Sequence, residues 1–204
     1  PTVYSGPSLC VPPETELNLK ACNQSKSLDF FNHCFDIYKY CKKRNAKSNT
    51  FPVLCICRSF QNIILFERYK KKVNHQKYID PCGDKKSGFY KVKMLNKPYL
   101  TQFINKPENS IIFKNATRKQ LKHIEKDKGV PHFNNFGFHY DDVKKRSCFS
   151  NNFKSITYSF YKLNNTVINS IEHKNYPIYG IQFHPEHSKD TFFIYNFFEG
   201  VLEK

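Results

Sequence analysis

The apolar positions of this chain follow two periods that change over at Cys57. From Val53 to Ile56 they run without a break, and from Phe60 they recur at Ile63, Ile64 and Phe66, which predicts a short buried strand, a sharp turn at Cys57 and a helix. A helix is also predicted over Leu28 to Lys43, with Leu28, Phe31, Phe35 and Tyr38 on one face. Ser27 is its candidate cap, and Lys42, Lys43 and Arg44 stand at the end where the helix dipole favours cations. Near the C-terminus, Ile178, Ile181 and Phe183 around Gly180 read as a second short apolar strand. Pro185 cannot continue a ladder, so His184 and Glu186 should project from that strand's end. Ile156 to Ile171 alternates like a hairpin turning at Asn164-Asn165, and Thr191 to Leu202 predicts an aromatic terminal helix. Residues 70–97 are basic and broken by Pro81, Gly83 and Gly88, as in a loop or short hairpin strands, and residues 116–128 read as a polar helix or exposed segment.

Open α/β sheets keep their sites at strand ends, which gives three of these residues a candidate chemistry. A thiol on the turn before a helix meets unpaired N–H groups and the positive end of the dipole, which favour its thiolate and can hold an oxyanion. Cys57 has that position, whereas Cys55, inside the strand, reads as a small buried residue. His184 is the candidate base and Glu186 the carboxylate that orients it. His184 and His187 across a proline make a poor metal clamp, and no Cys or His pair has zinc spacing, so no metal and no cofactor are expected.

The two elements together resemble the class I glutamine amidotransferase-like superfamily and, within it, the γ-glutamyl hydrolases of folate metabolism. Phe51-Pro-Val-Leu-Cys-Ile-Cys-Arg-Ser-Phe-Gln61 is similar, in register, to the family pattern F-P-[LV]-W-G-T-C-L-G-F-E. Tyr176-Pro-Ile-Tyr-Gly-Ile-Gln-Phe-His-Pro-Glu186 resembles Y-P-V-Y-G-V-Q-W-H-P-E at nearly every position. Weaker likeness covers Met94 to Glu108 and Ile168 to Glu172, and Val3 to Ser8 resembles the family's L-F-P-G-G-S loop. The resemblance implies a single α/β domain over residues 1–204, a three-layer, flavodoxin-like sandwich with a mostly parallel central sheet. It implies Cys57 as nucleophile, His184 as base and Glu186 as its orienting group, with Arg58, Asn134 and Gln182 lining the substrate. The chain departs from the pattern where Cys55 and Ser59 replace the two elbow glycines. It departs again in Phe133-Asn134-Asn135-Phe136-Gly137, where Asn134 replaces a substrate-pocket histidine. His132 and His139 flank that stretch, as surface residues or as substitutes.

Composition narrows the partners. The net charge of +16 and the 20 Phe and 13 Tyr would suit a nucleic acid, but the lysines are scattered and no nucleic-acid motif occurs. A small-molecule γ-glutamyl substrate carrying several carboxylates would be drawn to the same basic rim, and solubility alone is the plain alternative. No apolar run is long enough to span a bilayer. The family's first strand, helix and second strand have no counterpart before Val3, and Pro1 reads as a processed or truncated start. The expected partner is therefore an N-terminal fragment of the precursor or another subunit covering the sheet edge. Eight cysteines and the sequons at Asn23, Asn115 and Asn164 point to a secreted or lysosomal protein. With Cys57 and Cys55 free, Cys10, Cys22, Cys34, Cys41, Cys82 and Cys148 could form three disulfides. Two readings stay open: a cysteine hydrolase of γ-glutamyl bonds, and a degenerate relative whose fold serves binding or assembly.

Overall fold

The strand β2 (Val53–Ile56) is apolar at every position because both of its faces are covered. Val53 and Cys55 pack with Phe60, Ile63 and Phe66 of α2 (Arg58–Tyr69) and with Phe31, Phe35 and Tyr38 of α1 (Asn18–Asn45). Leu54 and Ile56 enter a second core on the opposite face, with Phe193 and Phe197 of α6 (Phe192–Leu202). Helices thus lie on both sides of the sheet, which is a three-layer α/β arrangement. The structure, a computed structural model, describes residues 2–5, 18–47, 51–69, 89–144, 147–162, 165–187 and 192–202.

Around β2 run β1 (Thr2–Ser5) and β8 (Ile178–Ile181), both parallel to it, with Cys55 opposite Gly180. The sheet continues antiparallel through β7 (Asn165–His173), β6 (Phe153–Lys162) and the short β4 (Thr101–Phe103), giving the order β1-β2-β8-β7-β6-β4. The sheet is therefore mixed: its parallel strands carry both motifs, and its antiparallel part contains the hairpin read from the alternation over Ile156 to Ile171. Residues 163–164 of the hairpin's turn lie outside the described residues. A separate ribbon pairs β3 (Phe89–Tyr99) with β5 (Val130–Phe138), so the end of the basic stretch, expected as loop or short hairpin strands, is one long strand of an antiparallel pair. Residues 70–88 lie outside the described residues. Thr2–Ser5 is strand where the resemblance suggested loop. The polar segment at 116–128 is α3 (Arg118–Lys122), capped by Thr117 and Gln120 in a reciprocal box, followed by a π-turn over His123–Asp127. Two short helices, α4 (Tyr140–Lys144) and α5 (Ser147–Ser150), come between β5 and β6 in the chain.

Three contacts fix how the layers meet. Gly180 lets α2 close on the sheet, since a Cβ there would lie 2.9 Å from the Phe60 ring and 3.1 Å from Ile171 Cγ1. At the far end of α2, the buried Glu67 carboxylate accepts hydrogen bonds from Tyr38, Asn152 and Lys42, the last at 3.0 Å. Burial works against its charge, but these donors outweigh burial and hold the carboxyl below its ordinary range. Asn45 closes α1 by bonding both the N–H and the C=O of Phe51, which aims the chain into β2.

Two expectations fail here. The helix α1 begins at Asn18, so Ser27 lies inside it and is not its cap. Cys34 and Cys41 are free thiols, not disulfide partners. They share the buried face of α1 with Phe31, Phe35 and Tyr38 and, with Cys55, line an apolar cavity against α2. Burial pushes the Cys41 thiol up to about 11 and the Cys55 thiol further, which keeps both protonated. Cys10 and Cys82, and the side chains of Cys22 and Cys148, lie outside the described residues.

Candidate active site

Cys57 is the one non-glycine residue with positive φ among the described residues, at 53°. An L-residue held there costs about 1–3 kcal/mol, so the surroundings must impose the conformation. They do so from both sides. The Cys57 N–H donates to Ile181 O at 2.8 Å, tying the turn to the end of β8, and its C=O accepts from Gln61 N at 3.1 Å, the first turn of α2. The replaced glycines do not disturb this elbow, because the side chains of Cys55 and Ser59 both enter the cavity beside α1. Ser59 Oγ is buried there without a hydrogen-bond partner.

The register of β8 beside β2 brings His184 to the same end of the sheet. His184 N donates to Pro131 O at 3.2 Å, and its Nδ1 meets Glu186 Oε1 at 2.7 Å across the turn Pro185–His187. Phe133 of β5 sets its ring edge-on to the imidazole, with centroids 5.4 Å apart. Burial alone would lower the affinity of this ring for a proton. Hydrogen bonding and charge from Cys57 and Glu186 outweigh it and raise the ring to about 9. His184 is therefore an imidazolium at neutral pH, set between the Cys57 side chain and the Glu186 carboxylate. This is the charge arrangement of a cysteine nucleophile with its general acid–base partner.

The residues expected to line the substrate, Arg58, Asn134 and Gln182, are linked to one another through Gln61 and the Phe136 carbonyl. Gln182, fully buried, donates from Nε2 to Cys57 Sγ at 3.6 Å. Arg58 Nη1 donates to Gln61 Oε1 at 3.2 Å. Asn134 accepts from His132 Nδ1 at 3.0 Å and donates to Phe136 O at 2.9 Å. His132 is not a surface residue: it is fully buried between Tyr99 and Phe183, and burial lowers it to about 4, so it is neutral. His139 is half-buried at the end of β5. The linear pattern assigns no role to Gln61, although it lies four residues beyond Cys57, one helical turn from the sulfur's own backbone.

No curated protein matches the chain. Among solved structures, the chain is similar to a protein described as a GMP synthase subunit from Thermoplasma acidophilum, with 18% identity and a TM-score of 0.44. The match covers 78% of this chain and 61% of that one, so the chain spans less than two thirds of that protein's length. The family profile described as glutamine amidotransferase class-I matches residues 34–203, a span that includes the elbow, β5 and the His184 turn. The chain belongs to the class-I glutamine amidotransferase family.

Proposed function

We propose that this protein is a cysteine hydrolase of γ-linked glutamyl amides, with folyl-poly-γ-glutamate as the type of substrate. The observation that supports it is the elbow at Cys57, kept at positive φ beside an imidazolium that Glu186 orients. In this reading Cys57 attacks the γ-amide carbonyl as the thiolate, its proton held on His184, and the oxyanion develops at the N-terminus of α2. His184 gives its proton to the leaving amine as the C–N bond breaks, leaving a γ-glutamyl thioester. The neutral His184 then takes a proton from water, hydroxide adds to the thioester carbonyl, and the C–S bond breaks to release the shortened glutamyl acid and restore the thiolate and imidazolium. Glu186 holds Nδ1–H throughout and keeps Nε2 available for the proton transfers. Arg58, half-buried at the first turn of α2, supplies a cation for the glutamyl α-carboxylate, and the charge of +16 draws a polyanionic chain to the site.

Release of glutamate from a γ-linked diglutamyl peptide tests this. Cys57→Ala should abolish release and Cys55→Ser should leave most of it, since Cys55 faces the helical core and not the site. Wild-type protein that releases no glutamate from this peptide or from a folyl polyglutamate would contradict the proposal.

A further inference from the structure

The sulfur of Cys57 receives an N–H from Gln182, and that amide could equally turn its oxygen to the sulfur. What decides its orientation lies one residue further away. Gln61, only 4% exposed, has Nε2 against two acceptors, Phe136 O at 3.0 Å and Gln182 Oε1 at 2.9 Å. Its Oε1 faces a donor, Arg58 Nη1. A backbone carbonyl can only accept and a guanidinium can only donate, so Gln61 has one permitted orientation. Reversing it would set its carbonyl against Phe136 O and its NH2 against Arg58. With Gln61 fixed, Gln182 must present Oε1 to it, and therefore Nε2 to the sulfur. Phe136 O is itself held by Asn134 Nδ2, whose Oδ1 takes the proton of His132 Nδ1. A chain of unambiguous donors and acceptors thus runs from β5 through α2 and β8 to the reacting atom, and its last two links, from Gln61 to Gln182 and from Gln182 to the sulfur, are buried.

We propose that Gln61 is a positioning residue for the nucleophile: clamped between Arg58 and Phe136, it locks the Gln182 amide so that an N–H, and never a carbonyl, faces the Cys57 sulfur. An N–H favours the anionic sulfur and holds it in place, whereas a carbonyl oxygen would oppose it. The inference rests on reading Cys57 as the attacking thiol, but it needs no substrate to be tested.

The test is the rate of Cys57 alkylation by iodoacetamide against pH, read by peptide mass spectrometry on the full chain. Gln61→Glu keeps an acceptor for Arg58 but sets a carboxylate against Phe136 O and Gln182 Oε1, which turns the Gln182 amide around. We expect alkylation at neutral pH to slow about tenfold and its midpoint to rise by about one pH unit. Gln182→Met removes the N–H and should slow alkylation to a similar degree. The double variant should be no slower than Gln182→Met alone, because Gln61 acts through Gln182. A Gln61→Glu effect that persists in the Gln182→Met background would be a direct charge effect on the sulfur and would overturn the proposal, as would an unchanged pH profile. If Gln61→Glu does not fold, Gln61→Met releases the clamp without adding charge, and a wild-type profile in that variant overturns the proposal equally. Normal coupling in a protein without turnover would count against the hydrolase reading only; turnover without coupling would count against this inference only.

Discussion

Positive φ at Cys57 is imposed by two backbone hydrogen bonds, and the strain is tolerated because the thiol gains its neighbours there. The clearest of them is His184. Its folded-state value of about 9 lies above the ordinary 6.5, so the stabilisation it contributes is complete below 6.5 and is lost as pH rises through about 9. The melting temperature of the wild type should therefore exceed that of His184→Gln most at about pH 6, with the gap narrowing by about pH 10. Constant separation across that range would contradict the ion-pair assignment. Ser59 allows a simpler test. Its hydroxyl is buried without a partner, so Ser59→Ala should raise stability by about 1 kcal/mol in denaturant unfolding, while a loss would show that the hydroxyl is satisfied after all. At this scale the sequence was legible where chemistry and position coincide, as at Cys57, His184 and Glu186. It was silent on Gln61 and misleading on His132, because nothing in a linear pattern shows that β5 folds over the site and buries its histidine.

The elements were readable where burial leaves a strong period. β2 and β8 are apolar on both faces, and β6 and β7 alternate, so their existence follows from the residues alone. The ribbon of β3 and β5 was not readable, because the lysines and the proline of β3 mask its extended conformation and its partner lies about 40 residues away in the chain. The start of α1 was missed for a related reason: Asn18 to Ser27 is too polar to show a helical stripe. Gly180 is where packing between elements is tightest. Gly180→Ala should cost about 1–3 kcal/mol by overpacking against Phe60 and Ile171, and should slow Cys57 alkylation because Phe60 belongs to the elbow helix. Thermal unfolding and the same labelling assay measure both, and a neutral substitution would show that α2 can shift without disturbing the turn.

For the molecule as a whole, buried neutral histidines set an acid limit. Burial lowers His132 to about 4 and, together with Lys42, lowers His173 to about 4, whereas the unfolded chain protonates them near 6.5. Protons therefore favour the unfolded state increasingly as pH falls from 6.5 to about 4, and the depressed Glu67 adds to the loss at the acid end of that window. The urea midpoint should drop steadily over this range, and a flat profile would contradict the burial of both rings. The free thiols of Cys34, Cys41, Cys55 and Cys57 are core residues, so they lend no support to an oxidising compartment. The central claim of the function proposed here is that Cys57 forms a thioester with a γ-glutamyl group. Acid-quenched mass spectrometry of the wild-type protein mixed with a γ-linked diglutamyl peptide tests that claim most directly. It should show one glutamyl increment on the peptide containing Cys57, absent from Cys57→Ala and accumulating in Glu186→Gln, where deacylation loses its oriented base. Glutamate release with no adduct on Cys57, or an adduct on any other cysteine, would contradict it.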